Sequence, residues 1–335
     1  MRLTWSAERP LLIAEIGVNH DGRVERAAIM MEQAAAAGFD AVKFQYWITE
    51  ELLAEHVPTA PYQGSGDQHA LLEGLRLDRV QLTALREEAR HLGVGFVVTP
   101  DGEHACTDVL TMEPDALKVG SADADNPWLI AKVSQSGLPV IASTGMMTDD
   151  EVVRLGERLV DVREVVILHC VSAYPTPLPH VNLSRMQRLR GLTGRAVGFS
   201  DHTVGIVAAA AAIGMGAVVV EKHVTWSVDA PGPDHSSSLL LDQAKVWVRT
   251  LTDVAQGRHT AIVSPDEAAN RRVVRKALYA AHDLQVGCAL RREDLVPLRP
   301  LLDGIPADQL DSVMGRILRR KVCAGSLIQP EDIRA

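Results

Sequence analysis

The sequence predicts an α/β fold, a (β/α)8 barrel of the TIM type followed by a small second domain. Three observations carry this prediction. Short runs rich in Val and Ile alternate with longer helical patterns eight times in about 245 residues, as a barrel of this type requires. The short runs are apolar almost throughout, as in a parallel sheet that is covered on both faces. The pattern then changes after Ala255.

Eight strands and eight helices are predicted in alternation. The predicted strands are Leu11–Gly17, Ala41–Gln45, Gly95–Pro100, Ala116–Ser121, Pro139–Thr144, Glu164–Cys170, Ala196–His202 and Val218–Val224. The predicted helices are Val24–Ala37, Val80–Leu92, Gly102–Met112, Pro127–Ser136, Asp149–Val160, Leu183–Leu192, Gly205–Met215 and Asp242–Ala255. The pairs Asn126-Pro127 and Thr148-Asp149 are typical of helix starts, and Gly38, Gly93 and Gly137 are typical of helix ends.

The composition excludes several classes of function. The 335 residues are 47% hydrophobic and carry a net charge of −9, and no dense block of Lys and Arg predicts binding to nucleic acid or a membrane. No stretch of 18 apolar residues is free of charge, and the first ten residues lack the layout of a signal peptide. The four cysteines are far apart and form no CxxC motif, which fits a reduced compartment and argues against a zinc ribbon. We therefore expect a cytoplasmic protein, and we interpret Cys170 as a small barrel residue.

Polar side chains follow every predicted strand at its carboxyl end, where active sites of this fold lie. The strand ends contain Glu15, Lys43, Gln45, Thr99, Lys118, Ser121, Ser143, Ser172, Ser200, His202 and His223. Strand ends meet water and are partly polar in any barrel, but two lysines, several histidines and many small hydroxyls exceed that expectation. The connection Tyr46–Arg79 is too long for a passive turn, so it is predicted to be an active-site loop.

Two histidines, His202 and His223, end predicted strands 7 and 8 and can point at one spot if these strands are neighbours. Two imidazoles at that place can share a divalent metal ion and leave positions for water and substrate, which predicts a catalytic metal. Mn2+ or Mg2+ suits such an open, water-rich site. The alternative is that each histidine hydrogen-bonds a loop backbone.

A second group of strand-end residues combines ammonium groups with hydroxyls. Its members are Lys43, Thr99, Lys118, Ser121, Ser143, Ser172 and Ser200. Charge together with many hydrogen-bond donors is what a small phosphorylated anion needs. Each serine taken alone is explained equally well as a loop or cap residue, but the set predicts a ligand with phosphate and carboxylate groups.

Six motifs occur in order along the predicted barrel: IAEIGVNHDG, AVKFQ, HCVSAYPTP, VGFSDHTVGI, EKHVT and PGPDH. Together they resemble the sialic acid (N-acetylneuraminate) synthase family over nearly the whole chain. The resemblance implies an enzyme that condenses phosphoenolpyruvate with an N-acylated aldose. Its products would be a 2-keto-3-deoxy nonulosonic acid and phosphate, and its cofactor Mn2+ or Mg2+.

The resemblance also implies roles for single residues. His202 and His223 match the metal ligands, and Glu15 and Lys43 match catalytic positions. The matches to phosphoenolpyruvate contacts are Lys43, Thr99, Lys118, Ser121, Ser143, Ser172 and Ser200. The matches to the sugar site are Gln45, Asp123, Tyr174, Asp234 and Arg299. Glu15 is interpreted as a general base or a stabiliser of charge, and the alternative is a buried carboxylate paired with Lys43.

The departures from the family pattern lie on the sugar side. Asp123 stands where Glu is usual, Tyr46-Trp47 is bulkier than usual, and Asp101 replaces a common aromatic residue. The loop after Arg299 is one residue longer than usual. We therefore expect the reaction to be retained, and we favour a 2,4-diacetamido-trideoxy hexose or a less usual aldose over N-acetylmannosamine as the acceptor.

The region after the barrel contains a repeat. Gly287–Leu295 and Gly325–Ile333 both fit Gly-x-x-[Leu/Ile]-x-x-Glu-Asp-[Leu/Ile], which predicts a compact pseudo-symmetric module. Gly257–Arg272 is polar and linker-like. The expected division is a barrel over 1–256, a linker over 257–274 and a module over 275–335.

The module resembles the antifreeze-like SAF domain that ends many sialic acid synthases. This resemblance implies a domain-swapped homodimer in which the SAF domain caps the barrel of the partner and donates Arg299 to its sugar site. The alternative for Arg299 is a solvated loop residue.

Two rival functions remain open from the sequence. A metal-dependent aldolase, or a related 3-deoxy-ketulosonate synthase that acts on a sugar phosphate, needs a second basic cluster, for which Arg299 is the candidate. A barrel retained as a binding or scaffold protein predicts losses among Glu15, His202, His223 and the lysines, and none of these is lost.

Overall fold

The computed structural model describes residues 3–54, 67–258 and 263–334, and the chain divides into two compact units, Met1–Arg258 and His259–Ala335. The first unit is a closed barrel in which eight parallel strands pair in chain order and β1 also pairs with β8. The (β/α)8 prediction is confirmed. Among the described residues, every helix is too short or too polar to cross a membrane.

The predicted barrel elements are all present, with ends that shift by a few residues. The strands are β1 (Leu11–Glu15), β2 (Ala41–Trp47), β3 (Gly95–Asp101), β4 (Ala116–Val119), β5 (Val140–Ser143), β6 (Val165–His169), β7 (Ala196–Asp201), β8 (Val219–Thr225) and the short β9 (Leu239–Leu240). The helices are α1 (Val24–Ala37), α2 (Thr49–Leu52), α3 (Gln68–Leu75), α4 (Arg79–Leu92), α5 (Glu103–Thr111), α6 (Pro127–Ser134), α7 (Asp149–Arg158), α8 (Arg185–Thr193), α9 (Val207–Gly214) and α10 (Leu241–Gln256).

The long connection between β2 and α4 is more ordered than the sequence predicts. It contains α2 and α3, whereas residues 55–66 lie outside the described part of the chain. Asp67 begins α3 because its carboxylate accepts a hydrogen bond of 3.0 Å from the backbone N–H of His69.

Side chains alternate along the strands between the barrel interior and the surrounding helices. On β1, Leu11 and Ile13 belong to a small interior cluster, and two residues further on the same face carries Glu15. A similar change occurs on β2, where Lys43 follows Ala41, and on β5, where the hydroxyl of Ser143 follows Ile141. The interior is therefore apolar at its amino end and polar at its carboxyl end.

The amino end of the barrel is closed by the segment before β1. Leu3 is buried within the interior cluster. Its side chain fills space beside Gly95, since a Cβ atom on that glycine would lie 2.4 Å from Leu3 Cδ2. Side chains therefore fill the barrel at its amino end, and the barrel is open at its carboxyl end.

The second unit has its own core and contains the repeat. Its elements are α11 (Pro265–Val274), β10 (Ala277–Ala280), β11 (Leu295–Leu298) and α12 (Leu310–Val313), and β10 pairs antiparallel with β11. Both halves of the repeat adopt the same local structure. Gly287 and Gly325 have φ angles of 84° and 75°, and Asp294 and Asp332 each accept a hydrogen bond from the backbone N–H three residues earlier.

The stretch predicted as a linker contains the helix α11, which the polar composition did not predict. Ser264 and Glu267 form a capping box at its start. The carbonyl of Arg272 accepts a hydrogen bond from Leu302 N–H in the second unit, so α11 is anchored there by polar contacts and has no buried residue.

Candidate active site

A cavity of about 490 Å3 lies at the carboxyl ends of the barrel strands. The strands and the turns after them line it with Glu15, Lys43, Gln45, Thr99, Asp101, Lys118, Ser121, Ser143, Cys170, Ser172, Tyr174, Ser200, His202, Glu221 and His223. The predicted active-site loop contributes Leu52, Leu53, Gln68 and Leu72. The structure thus brings most of the predicted site residues to one place.

Glu15 and Lys43 form a buried ion pair in this cavity. Lys43 Nζ lies 2.8 Å from Glu15 Oε2 and donates a hydrogen bond of 3.0 Å to Thr99 Oγ1, and Gln45 Nε2 donates one of 2.9 Å to Glu15 Oε1. Burial raises the pKa of Glu15 to about 7, an effect that Lys43 opposes and Glu221 reinforces. The pairing that the sequence left as an alternative is therefore present, and the carboxyl is also poised for proton transfer near neutral pH.

Glu221 is a cavity residue to which the sequence analysis gave no role. Its Oε1 accepts a hydrogen bond of 2.9 Å from Ser200 Oγ, and its Oε2 lies 3.8 Å from Lys43 Nζ. Burial opposes its ionisation, but Lys43, Lys118 and Ser200 outweigh that effect and lower its pKa. The available signal was the strand period of two, because Glu221 faces the interior whenever His223 does.

Lys118 is the second ammonium group of the cavity. It is buried, and its Nζ donates a hydrogen bond of 3.0 Å to the carbonyl of Val119. Burial lowers its pKa, and Glu221 acts in the opposite direction. Lys43 and Lys118 face the carboxyls of Glu15, Glu221 and Asp101, so the cavity holds counter-charges for both lysines before an anion enters.

The hydroxyl groups surround Gly145. Ser121 Oγ accepts a hydrogen bond of 2.9 Å from Gly145 N–H and lies 3.1 Å from Cys170 Sγ. A Cβ atom on Gly145 would lie 2.4 Å from Ser172 Oγ and 2.8 Å from both Ser121 Oγ and Cys170 Sγ. Glycine is therefore required at position 145, and its lack of a side chain leaves room for the hydroxyl groups of Ser121 and Ser172.

His202 and His223 lie side by side, with ring centroids 5.6 Å apart. His202 Nδ1 lies 2.8 Å from the carbonyl of Val171, so it donates and the lone pair is on Nε2. Burial lowers the pKa of His202 to about 4 and the pKa of His223 well below its usual value. Both rings are neutral at pH 7 and can act as ligands.

The two histidines differ in their anchoring. His202 makes the backbone hydrogen bond that the alternative interpretation requires, whereas His223 Nδ1 is buried without a hydrogen-bond partner. Asp234 Oδ2 lies 3.7 Å from that atom. An orphaned imidazole nitrogen beside a carboxylate and a second neutral imidazole fits a divalent ion. Across the described ranges, however, no three His, Cys, Asp or Glu residues are already grouped as a metal site.

Asp234 is held by contacts between the loops that follow β1 and β8. His235 Nε2 lies 3.0 Å from Asp21 Oδ1, and its Nδ1 lies 2.7 Å from Thr225 Oγ1. Asn19 is fully buried and donates hydrogen bonds to Val224 O and Ser238 Oγ. The loop that carries Asp234 is thereby attached to the first strand of the barrel.

Asp234 lines a second, smaller cavity of about 130 Å3 that adjoins the main one. Asp123 is half-buried, accepts a hydrogen bond of 2.8 Å from Asn126 Nδ2 and is absent from the lining of the main cavity. Arg299 is exposed in the second unit. Of the predicted sugar residues in the barrel, Gln45 and Tyr174 line the main cavity, whereas Asp123 and Asp234 do not.

Tyr46 and Trp47, the bulky pair after Gln45, lie in different environments. Tyr46 points out of the barrel, and its hydroxyl donates a hydrogen bond of 2.8 Å to Asp108 on α5. Trp47 is buried against Val18 and Leu75. Asp101, the acidic residue at a position where an aromatic is common, lines the main cavity. Burial and repulsion from Asp123 raise the pKa of Asp101 to about 7.

Residues 30–261 of the chain match the NeuB family, and residues 275–334 match the SAF domain. The chain belongs to the NeuB family. The resemblance found in the sequence is confirmed at this level, and the protein is an enzyme of the synthase type.

Relatives match this NeuB-family chain over most of its length. The N,N'-diacetyllegionaminic acid synthase of Legionella pneumophila is 34% identical over 97% of this chain and 94% of its own. The N-acetylneuraminic acid synthetase of Leptospira borgpetersenii is 26% identical, with a TM-score of 0.71 over 78% of this chain and 90% of that one. A putative spore coat polysaccharide biosynthesis protein E of Chromobacterium violaceum has the same fold, with a TM-score of 0.81 over 98% of this chain and 100% of that one at 24% identity.

Proposed function

We propose that this NeuB-family protein condenses phosphoenolpyruvate with an N-acylated aldose to give a 2-keto-3-deoxy nonulosonic acid and phosphate. The observation that carries the proposal is the main cavity itself. It combines two buried lysines and a ring of hydroxyls with a pair of neutral histidines and a carboxyl of pKa about 7. The Legionella relative is named for a diacetylated product, which favours a 2,4-diacetamido-trideoxy hexose over N-acetylmannosamine as the acceptor.

The donor site in this proposal consists of Lys43, Thr99, Lys118, Ser121, Ser143, Ser172 and Ser200. Ammonium groups pair with the phosphate and carboxylate of phosphoenolpyruvate, and hydroxyls donate to their oxygens. Because the cavity already holds counter-charges for both lysines, binding an anion displaces Lys43 and Lys118 partly from Glu15 and Glu221. The released Glu15 carboxylate can then take up a proton.

His202 and His223 would hold the divalent ion, Mn2+ or Mg2+, with Asp234 nearby. When bound there, the ion supplies Lewis-acid polarisation of the acceptor's aldehyde. The residues of the chain fix the rest of the geometry, since Val171 orients His202 and the loop after β8 orients Asp234.

The reaction joins C3 of phosphoenolpyruvate to the aldehyde carbon, and the aldehyde oxygen takes up a proton to become a hydroxyl. Water adds to C2 of the former enol and gives a proton to Glu15, which passes it to the alkoxide formed from the aldehyde oxygen. Cleavage of the C2–O bond then leaves the ketone, and the proton of the C2 hydroxyl goes to the departing phosphate. Holding both substrates in register is a large part of the catalysis, which buried side chains on eight strands are suited to provide.

We also propose a domain-swapped homodimer in which Arg299 is donated to the sugar site of the partner. Arg299 is exposed within its own unit and is available to a ligand elsewhere. A sugar-phosphate acceptor is less well supported, because the described lining of the main cavity offers Lys43 and Lys118 as its basic residues and the donor needs both.

The test is release of inorganic phosphate from phosphoenolpyruvate with Mn2+, screened over N-acylated and plain hexoses. We expect release with one acceptor class and loss of release in His202→Ala and Glu15→Gln. His180→Ala is the matched control, since His180 is exposed outside the cavity. Absence of phosphate release with every aldose would contradict the proposal.

A further inference from the structure

The pairing between β7 and β8 ends one residue before His202 and His223. Its last registered pair is Asp201 with Lys222, and the pairing of β6 with β7 ends earlier, at Phe199. The backbone of His202 therefore lies beyond the strand pairing, whereas His223 still pairs with β1. We call the buried ion pair of Asp201 and Lys222 the positioning pair. We propose that it fixes His202 relative to His223 and thereby sets the affinity of the two imidazoles for a divalent ion. The inference rests on the metal site of the proposed function.

The positioning pair binds the residues on both sides of His202. Lys222 Nζ lies 3.3 Å from Asp201 Oδ2 and donates a hydrogen bond to the carbonyl of Thr203. Asp201 Oδ1 accepts hydrogen bonds of 2.8 Å from the backbone N–H and from the hydroxyl of Thr203. Since Lys222 directly precedes His223, one ammonium group connects the turn that carries His202 to the strand that carries His223.

The positioning pair lies outside the cavity. Ser200 and Glu221, one residue earlier on each strand, line the main cavity. Because side chains alternate along a strand, Asp201 and Lys222 point to the other face of the barrel wall, where their side chains are 0% and 1% exposed. Neither residue therefore contacts a substrate, and any effect on the reaction acts through the histidines.

Stability alone does not account for an ion pair at this place. Removing two charges from water carries a large cost in free energy, and apolar residues of similar volume often stabilise a fold equally well. An ion pair differs from such residues in being directional, because a displaced partner leaves a buried charge without its counter-charge. The pair therefore restricts the turn after β7 to one arrangement, which is what two metal ligands on different strands require.

The other contacts of His202 do not replace this link. Its Nδ1 donates to the carbonyl of Val171, and its own carbonyl accepts a hydrogen bond of 2.9 Å from Thr176 N–H, so both contacts lead to the loop after β6. Ser200 Oγ donates to Glu221 Oε1 across β7 and β8, but it does so inside the donor site, where a bound anion competes for the same hydroxyl. Because the positioning pair lies outside the cavity, an anion does not compete for its contacts.

The experiment removes the two charges separately and together, in Asp201→Asn, Lys222→Met and the double variant. Asn retains an oxygen that can accept the hydrogen bonds of Thr203, so the first change removes the charge alone. Electron paramagnetic resonance of free Mn2+ gives the dissociation constant without turnover. Differential scanning calorimetry gives the Tm, and crystal structures of the wild type and the variants give the separation of the two imidazoles.

The buried ion pair of Arg86 and Asp115 is the matched control. Arg86 Nη2 lies 3.4 Å from Asp115 Oδ1, both side chains are 5% exposed, and Asp115 Oδ2 accepts a hydrogen bond of 2.9 Å from Phe96 N–H. Asp115 directly precedes β4, so this pair lies at the amino end of the barrel, away from the histidines. Asp115→Asn and Arg86→Met should lower the Tm as the changes to the positioning pair do, and should leave Mn2+ binding unchanged.

We expect Asp201→Asn and Lys222→Met each to weaken Mn2+ binding by about 10- to 100-fold, the usual effect of removing a group that orients a metal ligand. The double variant should recover part of the lost Tm, because neither charge of the pair is left alone, but its Mn2+ binding should stay weak. The ring centroids of His202 and His223, 5.6 Å apart in the structure, should move by about 1 Å or more in the double variant.

An electrostatic effect without a positional one predicts opposite signs for the two single variants. Loss of the negative charge would then weaken Mn2+ binding, and loss of the positive charge would strengthen it. That result would overturn the inference, and so would wild-type Mn2+ affinity in the double variant. If the single variants do not fold, the double variant decides by its Mn2+ affinity and its ring separation.

Failure of the proposed metal site is a separate outcome. If the wild type binds no Mn2+, that part of the proposed function fails, and the ring separation alone decides whether the pair positions His202. A separation in the double variant equal to that of the wild type would overturn the positioning role, and a changed separation would support it.

Discussion

The imidazole ring of His202 lies with its centroid 5.6 Å from that of His223, although 21 residues separate them in the chain. The crossover through α9 brings them together, because it returns the chain to the same end of the next strand. Val171 anchors His202, and the Nδ1 atom of His223 has no hydrogen-bond partner.

We expect His202→Gln and His223→Gln each to weaken Mn2+ binding by roughly 100-fold or more, since two imidazoles are the core of the proposed site. Electron paramagnetic resonance of free Mn2+ measures this without any turnover. His180→Gln should bind Mn2+ as the wild type does, because His180 is exposed outside the cavity. Unchanged binding in both site variants would place the metal elsewhere.

Replacing Glu221 should shift the charge balance of the cavity. Glu221→Gln leaves Lys43 and Lys118 with the carboxyls of Glu15 and Asp101, whose pKa values are both raised to about 7, and such a change to a buried pair costs on the order of 3 kcal/mol of stability. We expect a lower Tm without ligand and a larger rise in Tm with phosphoenolpyruvate than the wild type shows. Differential scanning calorimetry with and without phosphoenolpyruvate measures both.

The control for that experiment is Glu157→Gln, an exposed carboxylate on α7. It should change neither the Tm nor the ligand-induced rise. An equal rise in the Glu221 and Glu157 variants would mean that Glu221 does not face the bound anion.

His20 should make stability depend on pH. It is buried, Gly22 N–H donates a hydrogen bond of 3.1 Å to its Nδ1, and burial lowers its pKa to about 4. The unfolded chain, with a pKa of about 6.5, binds the proton more readily, so stability is lost as the pH falls from about 6.5 to about 4. Below that range both states are protonated and the loss from this residue is complete.

The expected contribution of His20 is on the order of 3 kcal/mol. Urea unfolding at several pH values measures it, and His20→Gln should flatten the slope between pH 6.5 and 4. A slope identical to that of the wild type would exclude His20 as a contributor.

Asp21 is expected to act on the acceptor through His235. Asp21→Asn weakens the contact that attaches the loop of Asp234 to the turn after β1. We predict that the KM of the acceptor rises by about tenfold while the KM of phosphoenolpyruvate stays the same, because the donor residues lie on other strands. Asp229→Asn, an exposed change in the same loop, is the control, and a loss of kcat with both KM values unchanged would contradict this role.

Strand alternation explains which parts of the site the sequence could predict. Lys43, Lys118, Ser200 and His223 continue the interior face of their strands, so a correct strand assignment predicts that they meet. The same rule explains Tyr46, which follows Gln45 and must face outward, where it contacts Asp108.

Residues that depend on loop geometry could not be predicted in this way. Asp123 and Asp234 lie beyond strand ends, and their positions are set by hydrogen bonds within turns rather than by a period. The helix α3 was not predicted, because the polar residues around it are typical of a loop. Strand alternation predicts that Glu221 faces the interior together with His223, but only the histidine was assigned a role from the sequence.

Strand β1 pairs with β8 in a register that sets Glu15 opposite His223. The two residues come from the beginning and the end of the barrel sequence and meet only when the ring closes. During synthesis on the ribosome the amino-terminal strands emerge long before β8 does. A nascent chain therefore cannot bring Glu15 and His223 together until the segment around His223 has left the exit tunnel.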